Sequence, residues 1–389
     1  MQALTLSADW SPRSPGALTP EEIATRRVKC GAQVWRNPSI TVGPSADPAP
    51  QDDEVIVEVA AVGICGSDMH MVERDADGYM LYPGLTRFPN ILGHEFSGRV
   101  VAIGSKVRDL RAGDLVTAEE IQWCGECRAC RRGLVNHCTR MEELGFTTPG
   151  AMAQYIPVRA RYCWKLDEIA ARLGDADQAL MLGAMVEPTG VSYQAMFNRL
   201  QTWKPGNTVA VFGAGPIGLT ALALAVAAGA SMVIVIDPSP SRRAMAKTLG
   251  AAHVLDSAGL DVNAALRELT FGHGIDFVVE AAGAPGHTLA PLTTGLGVGA
   301  TITHIGRSEK PTPLSLEHYQ VAGVQLAGSL GHAGSGTFQN VIRLMASGRL
   351  DLRPMVSARL PLADAQSAFR RLESREDCKI LLYPNRLPH

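Results

Sequence analysis

Gly213-Ala214-Gly215-Pro216-Ile217-Gly218 stands between a near-continuous apolar run, residues 208–212, and an Ala/Leu-rich stretch that ends near Gly229. A second apolar run, residues 232–236, follows and finishes on Asp237. Such runs mark strands buried on both faces, which belong to parallel sheets covered by helices. Strand, glycine turn, helix, strand and acid is the order a dinucleotide-binding βαβ unit requires, so this half of the chain is committed to a doubly wound parallel sheet. Gly213 permits the tight turn, Gly215 lets backbone approach a pyrophosphate, and Gly218 lets helix and strand pack closely. Pro216 and Ile217 open the helix, whose free N–H groups and positive dipole end suit phosphates. Asp237 lies nineteen residues past Gly218. It is placed to accept both hydroxyls of an adenosine ribose and to repel a 2′-phosphate, which favours NAD over NADP. Arg242 and Arg243 keep the phosphorylated cofactor open.

The alternation continues with a helix at 241–250, strands at 275–280, 300–305 and 325–329, and helices at 287–296 and 337–345. Upstream the pattern differs. Residues 1–50 are rich in Pro and polar residues and read as looping chain around short strands such as 29–35. Strands at 54–59, 98–103 and 115–117, punctuated by Gly, suggest a β-rich first domain. Residues 71–90 read as a loop-like insertion, and a last strand at 378–382 returns to the first domain.

The chemistry-bearing residues of that domain come in three groups. Cys65-Gly66-Ser67-Asp68-Met69-His70 packs a thiol, a hydroxyl, a carboxylate and an imidazole into six residues. A thiolate can hold a metal, and a hydroxyl and an imidazole beside it can carry a proton away. His94-Glu95 offers further ligands, and Glu187 a third carboxylate. Cys124, Cys127, Cys130 and Cys138 have the spacing that wraps a tetrahedral zinc with all four positions filled, so that metal is structural. Arg128, Arg131 and Arg132 lie near in sequence and offset the charge of four thiolates.

Composition narrows the partners. A formal charge of −2 gives no basic field for nucleic acid or for an anionic membrane surface. No apolar run is long enough to span a bilayer. The first residues lack a secretory pattern, which makes a cytoplasmic chain, with eight cysteines as thiols or metal ligands, the expectation.

The order of these motifs resembles the zinc-dependent medium-chain dehydrogenases, the alcohol and polyol dehydrogenase group. It runs from Gly-Ile-Cys65-Gly-Ser-Asp-x-His through Gly-His94-Glu95, the four-cysteine lobe and Glu187-Pro188 to the glycine turn. The resemblance implies a GroES-like β-rich catalytic domain, residues 1–190 and 335–389, with its zinc lobe at about 119–140. A Rossmann domain, residues 191–334, would be inserted between those pieces. It also implies two zincs per chain, NAD, and a homo-oligomer, either a dimer or a tetramer. Three stretches (78–86 with 92–95, 118–120 and 331–348) point to the cyclitol and polyol branch, hence to a small polyhydroxylated, inositol- or inosose-like substrate. Many alcohol dehydrogenases hold the catalytic zinc with two Cys and one His. Here Glu187 takes the place of the second cysteine, so the resemblance implies Cys65, His94 and a carboxylate, Glu95 or Glu187 or each in turn. It further implies that Ser67 receives the alcohol proton and passes it towards His70 through the cofactor ribose, that Asp68 orients His94, and that Lys379 meets the cofactor pyrophosphate. Alcohol, threonine or aminocyclitol dehydrogenation by the same fold is the near alternative. A non-catalytic zinc- or nucleotide-binding protein is the distant one, and it leaves Cys65, Ser67, His70, His94 and Glu187 unexplained.

Overall fold

The computed structural model describes residues 1–308 and 310–387. The chain forms two compact units, Met1–Glu187 with Val356–His389, and Pro188–Met355. The first crossing falls inside the helix Val186–Tyr193. The return crossing lies some twenty residues later than the motifs suggested. The helix Thr337–Ala346 belongs to the second unit, where Phe338 packs on His332 and Asn198 donates to Thr337 Oγ1.

In the first unit the strand Glu54–Gly63 is the spine of a seven-stranded sheet. Glu95–Ile103 and Tyr155–Arg159 pair with it antiparallel, as does Lys379–Tyr383 at its far end. Val55, Val57, Val59 and Val62 are fully buried, and with Phe96, Val100, Ile156 and Val158 they form the core of the unit. Residues at the amino terminus are more ordered than their composition suggested. Gln2–Trp10 and Trp35–Pro44 form a long antiparallel pair joined on the other side by Asn90–Ile91. Prolines are tolerated in Trp35–Pro44 because it is an edge strand, with no ladder on its outer side to break. The insertion that follows His70 makes no regular element between Val72 and Asn90. Backbone bonds hold it against the amino-terminal segment, among them Met80 N–H to Trp35 O at 3.1 Å and Ala32 N–H to Tyr82 O at 2.9 Å.

The second unit is a six-stranded, wholly parallel sheet. Its order is His253–Leu255, Met232–Ile236, Thr208–Phe212, Ile275–Glu280, Leu296–His304, Gln325–Gly328. Thr208–Phe212 lies at the point where strand order reverses, and the helix Pro216–Ala227 leaves its carboxyl end. Leu219 to Ala225 of that helix are buried, which is why its Ala/Leu sequence shows no polar face. The helix expected at 287–296 is a single turn, Pro285–Thr288, and the next strand starts earlier, at Leu296. Among the described residues no helix is long and apolar enough to cross a membrane.

Candidate active site

Register places the first ligands. Gly63, the last residue of its strand, pairs with Glu95, the first of the neighbouring strand, so Cys65 and His94 leave adjacent strand ends. Cys65 starts the helix Gly66–Val72, and its N–H donates to Asp68 Oδ2 at 2.9 Å. The donor atoms of Cys65, His94 and Glu95 all lie within 4.8 Å of one another. The His94 ring stacks on Phe146 at 4.9 Å, and its Nδ1 stands 3.7 Å from Asp68 Oδ1. Asp68 therefore stands behind the imidazole.

Charge in this pocket is arranged for a cation. Burial alone would push the His94 pKa down, but Asp68 above all, then Cys65 and Glu187, carry it well above the usual imidazole value. Burial pushes the Asp68 carboxyl up, against the pull of His94. Ser67 Oγ, Asp68 Oδ1, His94 Nδ1 and Glu95 Oε1 are shielded from solvent with no hydrogen-bond partner. Soft and hard donors with unsatisfied lone pairs, in a field that favours positive charge, fit a zinc ion.

Glu187 is buried and close enough to raise the His94 pKa, but it is not within the 4.8 Å cluster. Its carboxylate instead comes within 4.8 Å of that of Glu120. Glu120 follows the strand Leu115–Ala118 and was not singled out as a site residue; a buried acid pair just past a strand end is the signal that would have found it. His70 is half exposed, with Nδ1 3.2 Å from Glu73 Oε2, so it reaches solvent while Ser67 Oγ does not.

Lys379 is corrected. It does not stand ready for a pyrophosphate: its side chain is 0% exposed, and Nζ donates to Glu95 Oε2 at 2.5 Å and to Ile64 O at 3.2 Å. Burial would lower its pKa, but Glu95, Cys65 and Glu187 more than offset that and keep the ammonium charged.

The four cysteines form a separate centre. Sγ–Sγ distances of 3.5 Å (Cys124–Cys138) and 3.9 Å (Cys124–Cys130 and Cys127–Cys138) match the edge of about 3.8 Å that a tetrahedron of zinc–sulfur bonds requires. Backbone N–H groups of Glu126 and Cys127 point at Cys124 Sγ and bring its pKa down to about 7. Those of Cys130 and Thr139 bring Cys127 down to about 5, whereas burial pushes Cys130 up to about 12. Cys127 is thus a ready thiolate at neutral pH and Cys124 partly one, whereas Cys130 and Cys138, both pushed up by burial, must surrender their protons to the metal. Zinc uptake by the metal-stripped lobe should weaken as pH falls through 7 towards 5, where first Cys124 and then Cys127 take up protons. Competition against a chromogenic chelator across that range measures it; a flat response would contradict the assignment.

In the second unit the glycine turn has the expected form. Gly213 has φ +90°, and a Cβ there would meet the Ala282 backbone at 2.8 Å. Gly215 caps the helix Pro216–Ala227, and a Cβ on it would meet nothing nearer than Arg242 Nη1 at 3.9 Å, which leaves a cradle open to a ligand. Arg242 Nε is buried without a hydrogen-bond partner beside that cradle. Asp237 lies at the end of the adjacent strand, held by Ala214 N–H on Oδ2 and Ser239 N–H on Oδ1, each at 2.7 Å. Pro216 and Ile217 form the first helical turn, and Ile217 O accepts from Ser192 Oγ at 2.9 Å. A dinucleotide fits this donor set.

A thiolate–imidazole–carboxylate cation site in a β-rich unit, with a dinucleotide turn in a doubly wound unit, defines the class of metal- and nicotinamide-dependent oxidoreductases. Comparison with known proteins gives the family. Residues 51–168 match the alcohol dehydrogenase GroES-like domain and residues 216–347 the zinc-binding dehydrogenase domain. The chain is 40% identical to scyllo-inosose 3-dehydrogenase of Thermotoga maritima over 96% of its own length and 97% of that protein's. It is 33% identical to L-threonine 3-dehydrogenase of Bacillus velezensis, over 87% and 93% respectively. A solved structure from Thermotoga maritima superposes with a TM-score of 0.94 at 39% identity, covering 98% of this chain and all of that one. The chain belongs to the zinc-dependent medium-chain alcohol and polyol dehydrogenases, oxidoreductases acting on CH–OH donors.

Proposed function

We propose that the enzyme oxidises a secondary alcohol of an inositol- or inosose-like cyclitol to the ketone, with NAD as acceptor. The observation that carries this reading is the 40% identity to a scyllo-inosose 3-dehydrogenase across nearly the whole of both chains. The buried acids Glu120 and Glu187 support it, because paired carboxylates suit a substrate with several hydroxyls to bind. Asp237, fixed beside the turn by two backbone N–H groups, supports NAD over NADP.

Cys65 and His94, with the carboxylate of Glu95 or Glu187, would hold a catalytic zinc, and Cys124, Cys127, Cys130 and Cys138 a structural one. A zinc held at the first site would supply a Lewis acid that lowers the pKa of the substrate hydroxyl towards neutrality, favouring hydride loss to the nicotinamide. The protein's own residues handle the proton. Ser67 Oγ, shielded and without another partner, would accept it from the alcohol while giving up its own hydroxyl proton towards His70. His70, three residues on and therefore on the same helical face, passes it to solvent with Glu73 beside it. Asp68, whose Oδ1 stands 3.7 Å from His94 Nδ1, would favour a proton on that nitrogen and leave the other free to hold a metal. Gly213, Gly215 and Gly218 seat the pyrophosphate against the N–H groups opened by Pro216 and Ile217, with Arg242 alongside. The edge strand Gln325–Gly328, with Leu326 exposed on it, and the exposed Leu316 and Val321 of the preceding helix support assembly into a homo-oligomer.

A screen of inositols, inososes, aminocyclitols, sugar alcohols, threonine and simple alcohols, each with NAD and NADP and followed by nicotinamide absorbance, tests this reading. We expect kcat/KM for a cyclitol with NAD to exceed that for threonine or a simple alcohol by at least about 100-fold, as when a site built to pair several hydroxyls meets a substrate lacking them. Preference for threonine would replace the substrate assignment, and preference for NADP the ribose assignment.

A further inference from the structure

At the carboxyl ends of the parallel strands the last row in register reads Leu255, Ile236, Phe212, Glu280, His304 and Gly328 across the sheet. Phe212 leads directly into the glycine turn, so Glu280 and His304 stand at the crevice, on the other side of that turn from Asp237. Residues paired in register share a face of the sheet, and His304 Nδ1 lies 2.9 Å from Glu280 Oε2. The Glu280 side chain is 0% exposed and that of His304 31%. Glu280 Oε1 accepts from Ala284 N–H at 3.3 Å and from Thr288 Oγ1 at 3.2 Å. Room for the group depends on Gly306, where a Cβ would stand 2.9 Å from Oε2. Packing does not call for a charge here. The rest of the row is apolar or glycine, and a buried ion pair is often no more stabilising than apolar side chains of the same volume. A glutamine would serve the two loop donors as well.

The fold gives the charge something to act on. A doubly wound sheet binds a dinucleotide across its crevice, one mononucleotide on each side of the switch point. With the adenosine ribose at Asp237, the nicotinamide half falls on the side of Glu280 and His304. That ring carries one positive charge when oxidised and none when reduced. We propose that the buried carboxylate of Glu280, held by His304, is a fixed negative charge that makes this site prefer the oxidised dinucleotide. The inference rests on the dinucleotide assignment above. Inside a protein one charge is screened far less than in bulk water, so a group that touches no ligand still distinguishes the two redox forms. A neutral His304 ring donates its Nδ1 proton to Oε2 and steadies the carboxylate without cancelling its charge.

The experiment titrates the full-length chain, without substrate, with NAD and with NADH and takes the ratio of the two dissociation constants. Glu280→Gln keeps an acceptor for Ala284 N–H and Thr288 while removing the charge. Its ratio should move towards NADH by about 5–20-fold, the size of one partly screened charge in a protein. A tenfold move is equivalent to a rise of about 30 mV in the potential of the bound couple. His304→Lys sets a permanent cation beside the same carboxylate at a half-exposed position, and should move the ratio the same way without touching the buried acid. His304→Asn, uncharged and still able to donate to Oε2, should keep the parent ratio. A merely structural pair would lower both affinities together and leave the ratio unchanged in Glu280→Gln and His304→Lys, and that result overturns the proposal. So does a shift in His304→Asn as large as in the other two. Where Glu280→Gln does not fold, His304→Lys decides alone. Binding of neither form by the parent chain would end both this inference and the dinucleotide assignment. Tighter binding of NADP than of NAD would correct the ribose assignment alone, since the same ratio is then read with NADP and NADPH. No substrate enters the measurement, so inactivity on every cyclitol would sink the proposed function and leave this result standing.

Discussion

Cys65→Ala is expected to lower turnover by at least about a thousandfold, roughly the 4 kcal/mol within reach of a Lewis acid acting on the substrate oxygen. Cys65 is the one sulfur in a cluster otherwise made of imidazole and carboxylate. Its loss leaves His94 and Glu95, with Lys379 already bound to one oxygen of the latter. Two weakened donors do not hold zinc against water, so the metal of this site should be lost while that of the four cysteines stays. Cys65 also begins the helix Gly66–Val72, so alanine alone would confound chemistry with helix initiation. Cys65→Ser separates them: the hydroxyl keeps the size and favours the cap position, yet it does not ionise near neutrality as a thiol does. Both variants should therefore be inactive, with only the serine form retaining the parent Tm. Elemental analysis and thermal melts read the three quantities. Either variant with the parent's metal content and undiminished turnover would remove Cys65 from the mechanism.

What could be read in advance follows the range of the interactions. The glycine turn, the helix it opens and Asp237 lie within twenty-five residues, and local geometry dictates them, so strand limits such as Thr208–Phe212 and Met232–Ile236 emerge from pattern alone. The four cysteines span fifteen residues and the Cys65–His70 group six, and spacing again carries the chemistry. The meeting of Glu95 with Lys379 was not legible, because it depends on which strands flank Glu54–Gly63 and in what register. A lone lysine at the start of an apolar strand gives no hint that its ammonium is buried. Thr337–Ala346 shows the same limit. Its pattern identifies a helix with Phe338, Val341, Ile342 and Met345 inward, but not which of two cores receives them. Glu187 marks an intermediate case. Its type suggested a metal ligand, and the fold places it close enough to act on His94 and within 4.8 Å of Glu120, though not within 4.8 Å of every donor of the Cys65 cluster.

The second large effect is expected at Gly218. In an exposed helix, glycine to alanine gains about 1 kcal/mol from propensity, so local reasoning alone would call Gly218→Ala stabilising. The surroundings reverse the sign. A Cβ at Gly218 would stand 1.8 Å from Gly213 O and 3.3 Å from Val211 Cγ1. Gly213 cannot yield, since it is fixed at φ +90° against the Ala282 backbone. The helix must instead lift from the strand, at an overpacking cost of about 1–3 kcal/mol. That movement carries the N–H groups at the start of Pro216–Ala227 away from the pyrophosphate, and dinucleotide affinity should fall by about 10–100-fold. Gly215→Ala is the matched control, because its added methyl meets no protein atom closer than 3.9 Å. The folded chain accepts it without loss of Tm, and any weakening of binding there comes from contact with the ligand itself. Gly218→Ala should lower both Tm and affinity while metal content stays that of the parent, as read by thermal melts, NAD titration and metal analysis. Parent-like NAD binding by Gly218→Ala would mean that close packing of this helix on its strand does not hold the phosphate cradle in place.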